Sequence, residues 1–256
     1  MKIVACVKAV PEEQDIIVKS DHTLDLSKAE LKVGQYDLNA VEAAVQLSEA
    51  TGGIEPTIVT VGTLKGLKNS KLQKAMLSRG AKELFGVADD SLDGIDSLAT
   101  AKNLAAAITK IGEVDLILCG EGSGDIYSQQ VGCILGQLLG YVTLNAVSKI
   151  TPKEDKLEIE RTLEDEIEIL EISLPAVLSV TTDINKARIP GLKEILAAGK
   201  KPSTLWGAAD LEMIRESSIE IISTLAPPQT DRKKIIIQGD SEDNINELFE
   251  NLRKIL

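Results

Sequence analysis

The stretch VDLILCGEGSGDIYSQQVGCILGQLLG (114–140) decides how this chain folds. Its first seven residues, VDLILCG (114–120), form a nearly unbroken apolar run, the mark of a strand covered on both faces. A glycine-rich loop, EGSGD (121–125), follows. The next stretch, SQQVGCILGQLLG (128–140), sets Val131, Ile134, Leu135 and Leu138 on one helical stripe, and the helix is expected to open near Ile126. In open α/β sheets, ligands gather beyond the carboxyl ends of strands, where strand passes through loop into helix. Gly120, Gly122 and Gly124 let a backbone approach a ligand closely. The free amides and dipole at the start of the helix suit a phosphate or pyrophosphate, and Ser128 adds a hydroxyl. A tight βα turn without a ligand uses the same glycines, so on the residues alone both readings stand. Asp125 either caps the helix or meets a ribose hydroxyl, because its charge, like that of Glu121, would oppose a phosphate.

Outward from this stretch, strands and helices alternate. KIVACVK (2–8) is a β-branched apolar run, and IIVKSDHTLDL (16–26) reads as a hairpin turning at Ser20-Asp21-His22. DLNAVEAAVQLSEA (37–50) carries Leu38, Val41, Ala44, Val45 and Leu47 on a helical stripe that Gly52-Gly53 stops. TIVTVG (57–62) and ELFGVAD (83–89) are strands. NSKLQKAMLSRGA (69–81), capped by Asn69 or Ser70 and ended by Gly80, and SLATAKNLAAAITKIG (97–112) are helices. The rhythm changes at KLEIERTLEDEIEILEISLPAVLSVT (156–181), where apolar and polar residues alternate at period two with no helix between. The expected fold is therefore α/β and Rossmann-like: a mostly parallel sheet with helices on both faces and an antiparallel addition near 156–181. APPQTDR (226–232) reads as a linker. KKIIIQGD (233–240) and SEDNINELFENLRKIL (241–256) read as a C-terminal strand–helix arm, too small for its own core. This divides the chain into a nucleotide-binding domain over 1–225 and a linker with arm over 226–256.

Composition excludes several classes of function. A net charge of −12 opposes nucleic acid and anionic membrane surfaces, and 2% aromatic content leaves little to stack on bases. No apolar run approaches the roughly 20 residues that span a bilayer, and the N-terminus lacks the features of a secretory signal, so a cytoplasmic protein is expected. Cys6, Cys119 and Cys133 are widely spaced with no CxxC pair, which argues for packing over zinc or dithiol chemistry. The single histidine, His22, lies in a polar turn, and no GxSxG, GxxxxGK[ST] or HExxH motif is present. The sequence reads as a non-enzyme with no metal site. Any redox role needs an organic cofactor.

A second informative stretch is DINKARIPGLKEILAAGKKP (183–202). Lys186, Arg188, Lys193, Lys200 and Lys201 make a cationic island in an acidic chain, and Leu192, Ile195 and Leu196 follow Pro190-Gly191 on a short helix. A basic rim around apolar residues suits docking to an acidic protein surface. A solvated helix with Leu192 in the core accounts for the same residues.

Taken together, KIVACVKAVP, QYDLNAVEAAVQL, VTVG and CGEGSGDIYSQQVG resemble the electron-transfer flavoprotein β subunit, in order and spacing over essentially the whole chain. ERTLEDE, SLPAVLSVT and INKARIPGLKEILAAGKKP are similar to the branch associated with carnitine metabolism and nitrogen fixation. The resemblance implies an electron carrier paired with an α subunit that holds most of an FAD, passing electrons between an acyl-CoA-type dehydrogenase or other redox partner and a second carrier. It implies AMP, or in bifurcating members a second FAD, on the β subunit. By that resemblance the cofactor contacts are Cys6 and Val7; Tyr36, Asp37 and Leu38; Val61 and Gly62; and Gly120 with the loop Ser123, Gly124, Asp125, Ile126, Tyr127, Ser128, Gln129, Gln130, Val131, Gly132, Cys133 and Ile134. The partner-recognition loop maps to Asn185–Lys201, with Lys186, Arg188, Leu192, Lys193 and Lys200 as its contacts. Gly34-Gln35 stand where the family usually has Asn-Pro. Glu121, Gly122, Ser123 and Gly124 stand where a basic or Gln residue and Ala-Ile are common, which leaves AMP and flavin both open. A stand-alone adenine-nucleotide sensor is the alternative from another class.

Overall fold

The computed structural model describes residues 1–228 and 233–254. The chain divides into two compact units, one formed by Met1–Ile17 with Asp25–Ser223 and the other by Val18–Leu24 with Thr224–Leu256.

In chain order the strands are β1 (Ile3–Cys6), β2 (Ala9–Pro11), β3 (Ile17–Val18), β4 (Leu24–Asp25), β5 (Leu31–Val33), β6 (Thr57–Gly62), β7 (Glu83–Ala88), β8 (Leu116–Gly120), β9 (Val142–Pro152), β10 (Leu157–Thr162), β11 (Ile167–Ile172), β12 (Ala176–Val180) and β13 (Ser203–Trp206). The helices are α1 (Gln35–Thr51), α2 (Leu64–Leu67), α3 (Ser70–Leu77), α4 (Ser97–Ile111), α5 (Val131–Leu139), α6 (Leu192–Ala198) and α7 (Glu242–Arg253).

Among the described residues nine strands make the central sheet, in the order β11-β10-β9-β12-β8-β1-β6-β7-β13. From β9 to β13 neighbouring strands run parallel, and β10 and β11 add antiparallel at one edge. Period-two alternation splits each central strand between two cores. Ile3, Ala5 and Val7 face one core with Val41 and Val45 of α1 and Leu72 and Met76 of α3. Val4 and Cys6 face the other with Leu104 and Ile108 of α4 and Leu135 of α5. A strand buried on both faces must be apolar at every position, which is why 114–120 and 2–8 read as unbroken runs.

The order of the strands locates a candidate ligand edge. From β1 the chain winds outward through β6 and β7, then returns to β8 on the other side of β1. The crevice beyond the carboxyl ends of β1 and β8 is thus the topological switch point, where two connections diverge and leave room for a ligand.

Several expectations change. The helix expected over 128–140 begins only at Val131, because Tyr127 (φ 52°) and Gln129 (φ 57°) adopt left-handed backbone that no helix can continue through. Leu138, placed inward by its spacing, is exposed. Two strands of the sheet, β9 and β13, are additional to those read from sequence. In β9 the apolar alternation is broken at Ala146 (φ 55°), where the pairing with β12 also shifts register. β13 is short, and its Trp206 ring stacks on Phe85 with centroids 4.8 Å apart.

In the second unit, residues 233–240 are not a strand. Among the described residues no neighbouring strand takes up their peptide groups, and a strand without a ladder has nowhere to put them. Instead Ile235 and Ile237 line a shallow groove with Ile245 and Leu248 of α7. Ser241 caps α7 by accepting from the Asn244 amide at 3.3 Å. Residues 229–232 of the expected linker and 255–256 of the expected helix lie outside the described residues.

Candidate functional site

Asp37 fixes the switch crevice. It sits in the first turn of α1, is 7% exposed, and its Oδ2 accepts the Lys8 amide at 2.7 Å. The Gly120 amide also donates to this carboxylate. One buried side chain therefore ties the end of β1 to the end of β8. The approach is close: a methyl group on Gly120 would stand 2.7 Å from Tyr36 Cβ and 2.8 Å from Asp37 Oδ1. Burial pushes the Asp37 carboxyl up to about 7, against the lowering effect of the two amides and the Lys8 charge. Asp37 is thus a staple beneath the site and turns no oxygen outward.

The loop 121–130 lies above it and is held by side chains. Lys8 Nζ bonds both carboxylate oxygens of Asp125, at 2.8 and 2.7 Å, and reaches Ser123 Oγ at 3.5 Å. Asp125 therefore does not cap the helix. Burial raises its pKa, but Lys8 and Ser123 outweigh that and hold it below the ordinary carboxylate range. Tyr127 folds back over Gly122, where a methyl group would stand 2.3 Å from its ring. Its hydroxyl donates to Glu121 Oε1 at 3.0 Å, and desolvation together with this neighbour raises the phenol to about 12. The Tyr127 ring also meets Tyr36, with centroids 5.2 Å apart. Glu121 and Asp125, the two acids expected to repel a phosphate, are both engaged.

α5 begins with Gln130 at its N-cap and no side-chain cap bond. The first amide in its ladder is that of Ile134, donating to Gln130 O at 3.0 Å. The amides of Val131, Gly132 and Cys133 therefore have no acceptor within the helix. Ser128 Oγ lies 3.0 Å from Ser97 Oγ, so the first residue of α4 meets the same loop. Gly124 faces open space. An uncapped helix start, free amides, two hydroxyls and an open glycine fit the phosphate of a nucleotide, with amides rather than cations as donors.

The other residues read from sequence are placed as follows. Cys6 is buried and Val7 donates its amide to Val59 O at 2.9 Å. Cys6 and Cys119 neighbour one another across β1 and β8, and that contact, with burial, raises the Cys119 thiol. Val61 and Gly62 end β6 on the same edge of the sheet. Leu38 lies apart from the loop and lines a separate cleft with Gln35 and Asn39. Ile126 and Tyr127 are exposed, Gln129 Nε2 donates to the Tyr127 hydroxyl at 3.3 Å, and Val131, Cys133 and Ile134 are half-buried.

In the second stretch, Lys186, Leu192, Lys193 and Lys200 are exposed, and Leu192 reaches 74%. Leu192 is thus no core residue. Ile189 and Leu196 are exposed beside it. Arg188 is placed differently: its Nε lies 2.7 Å from Glu42 Oε2 and its Nη1 3.1 Å from Glu49 Oε1, so it anchors the segment to α1. Lys201 likewise donates to Leu77 O and Ala81 O. The sequence reading missed Lys8 and Ser97. Lys8 left a signal, as a cation closing the first strand at its carboxyl end. Ser97 left none.

Residues 22–211 match the family model described as the electron transfer flavoprotein domain. The chain belongs to the electron transfer flavoprotein family. The matched span contains Tyr36, Asp37, the whole loop from Gly120 to Ile134 and the exposed segment 185–201. Electron transfer flavoproteins are flavin-associated electron carriers. Among the described residues no helix is long and apolar enough to cross a membrane. No group of three or more His, Cys, Asp or Glu among them could hold a metal ion.

Proposed function

We propose that this chain is the β subunit of an electron transfer flavoprotein of the carnitine-metabolism and nitrogen-fixation type, working in the cytoplasm beside an α subunit that holds most of an FAD. The observation that carries this reading is the uncapped start of α5 at the switch point, inside the family match. Its amides would take the phosphate of AMP or of a second FAD, with Ser128 and Ser97 as neighbouring hydroxyls. Lys8 keeps the Asp125 charge neutralised beneath that phosphate. Asp37 keeps the two strand ends at the spacing the loop needs. A flavin, when bound, supplies the one- and two-electron chemistry, and this chain positions it and tunes its surroundings. The α6 segment, with Leu192 at its centre and Lys186, Lys193 and Lys200 around it, would dock a dehydrogenase or other redox partner. The arm over 226–256, with its exposed apolar α7, would pack on the domain or on the α subunit.

Co-expression tests the proposal. The chain alone should purify colourless or weakly flavin-loaded, and with an α subunit from the same genome it should co-purify as a yellow heterodimer. Heat release and chromatography then identify the nucleotide: AMP marks the ordinary carrier, and two FAD per heterodimer mark the bifurcating type. A chain that stays flavin-free and ignores the α subunit contradicts the proposal.

A further inference from the structure

Arg79 is the one described arginine that faces no carboxylate. Arg161, Arg188, Arg215 and Arg253 each lie within ion-pair distance of an acid. In a chain with 40 acidic and 28 basic residues, a guanidinium without a carboxylate partner among the described residues is unexpected. Its Nη1 donates to Ala75 O, one helical turn back, and its Nε is buried with no acceptor at all. Burial acts on it alone and lowers its pKa, with no neighbouring acid to offset that. A half-buried charge without an ion-pair partner is costly to fold.

The surroundings indicate what would partner it. Arg79 lines an open cleft of 560 Å³ with Lys186, Gln35, Asn39, Leu38 and Ile189. The cleft lies at the start of α1, formed from different residues than the loop above β1 and β8. Its volume is that of a small-molecule site and larger than one acidic side chain fills. Arg188, at its wall, is already neutralised by Glu42 and Glu49, which leaves Arg79 and Lys186 to set the sign of the cleft. Asn39 belongs to the buried frame of the cleft. It is 3% exposed, its Nδ2 donates to Asn185 O at 2.9 Å, and its Oδ1 has no partner. Two cationic side chains and apolar walls at Leu38 and Ile189 describe one class of ligand.

We infer that this cleft binds a small oxyanion-bearing molecule, a carboxylate or a phosphate monoester. Arg79 and Lys186 take the charged group. The site is separate from the nucleotide loop and does not depend on what that loop holds.

Calorimetric titration of the full-length chain with inorganic phosphate and, separately, with citrate tests it, using wild type, Arg79→Gln and Lys186→Gln. At least one probe should bind wild type, with affinity reduced tenfold or more in each variant. Phosphate alone binding assigns a phosphate ester, and citrate alone assigns a carboxylate. AMP affinity should be equal in all three proteins, which separates this cleft from the loop. Arg79→Gln should keep or raise the ligand-free melting temperature, since it removes a half-buried charge with no carboxylate partner, whereas a purely structural arginine would lower it. If Arg79→Gln does not fold, exposed Lys186→Gln decides alone. Failure of both probes to bind wild type, or equal binding by wild type and the variants, overturns the inference.

Discussion

At the scale of single residues, the site rests on Lys8, Asp125 and Asp37. Lys8 and Asp125 are partly exposed, so their pair contributes little to global stability. Its effect is local: without Lys8, the Asp125 carboxylate stands bare beside the amides proposed to hold phosphate. Lys8→Met should lower adenylate affinity about tenfold, near 1.4 kcal/mol. Adding Asp125→Asn should restore most of it, and titrations across this double-mutant cycle read the coupling. Additive losses would show that the two residues act separately. Asp37 gives a pH signature. A carboxyl raised by burial from 3.8 to about 7 contributes stability fully present below about pH 4 and lost as pH rises through 7. Asp37→Asn cannot lose a proton, so its melting temperature minus that of wild type should climb between pH 4 and 8. A flat difference would mean that Asp37 is ordinary in the folded state.

At the scale of elements, the strands with two covered faces were legible because their physics is written continuously. β6 is TIVTVG (57–62) as read, and β8 and α4 match their apolar periods. Helix caps were legible for the same local reason: Asn69 accepts from the Lys71 and Leu72 amides. What failed was set by distant partners. The late start of α5 follows from left-handed Tyr127 and Gln129, which are held in a loop closed by Glu121, Ser123 and Lys8. No local pattern announces that Lys8, 117 positions earlier, grips Asp125. The isoleucines of 233–240 carried strand propensity without a strand beside them. In the cationic stretch, the sequence showed the charges but could not separate Arg188, spent on Glu42, from the exposed lysines. Leu192→Ala should therefore slow electron delivery to or from a dehydrogenase several-fold while leaving cofactor content and melting temperature unchanged. Such a 74% exposed leucine has no core to disturb. Equal rates in a reconstituted assay would remove α6 from partner recognition.

At the scale of the whole molecule, the strand order does the positioning. Connections diverge on either side of β1, which makes the carboxyl edge of the sheet there the switch point, and the proposed site uses the uncapped start of α5. Everything else in the account follows from an adenylate phosphate sitting there. The direct measurement is a crystal structure of the chain purified with its proposed α partner and the nucleotide it carries. The account predicts phosphate oxygens within hydrogen-bond distance of the amides of Val131, Gly132 or Cys133. A nucleotide seated elsewhere in the heterodimer, with those amides facing solvent, would contradict it.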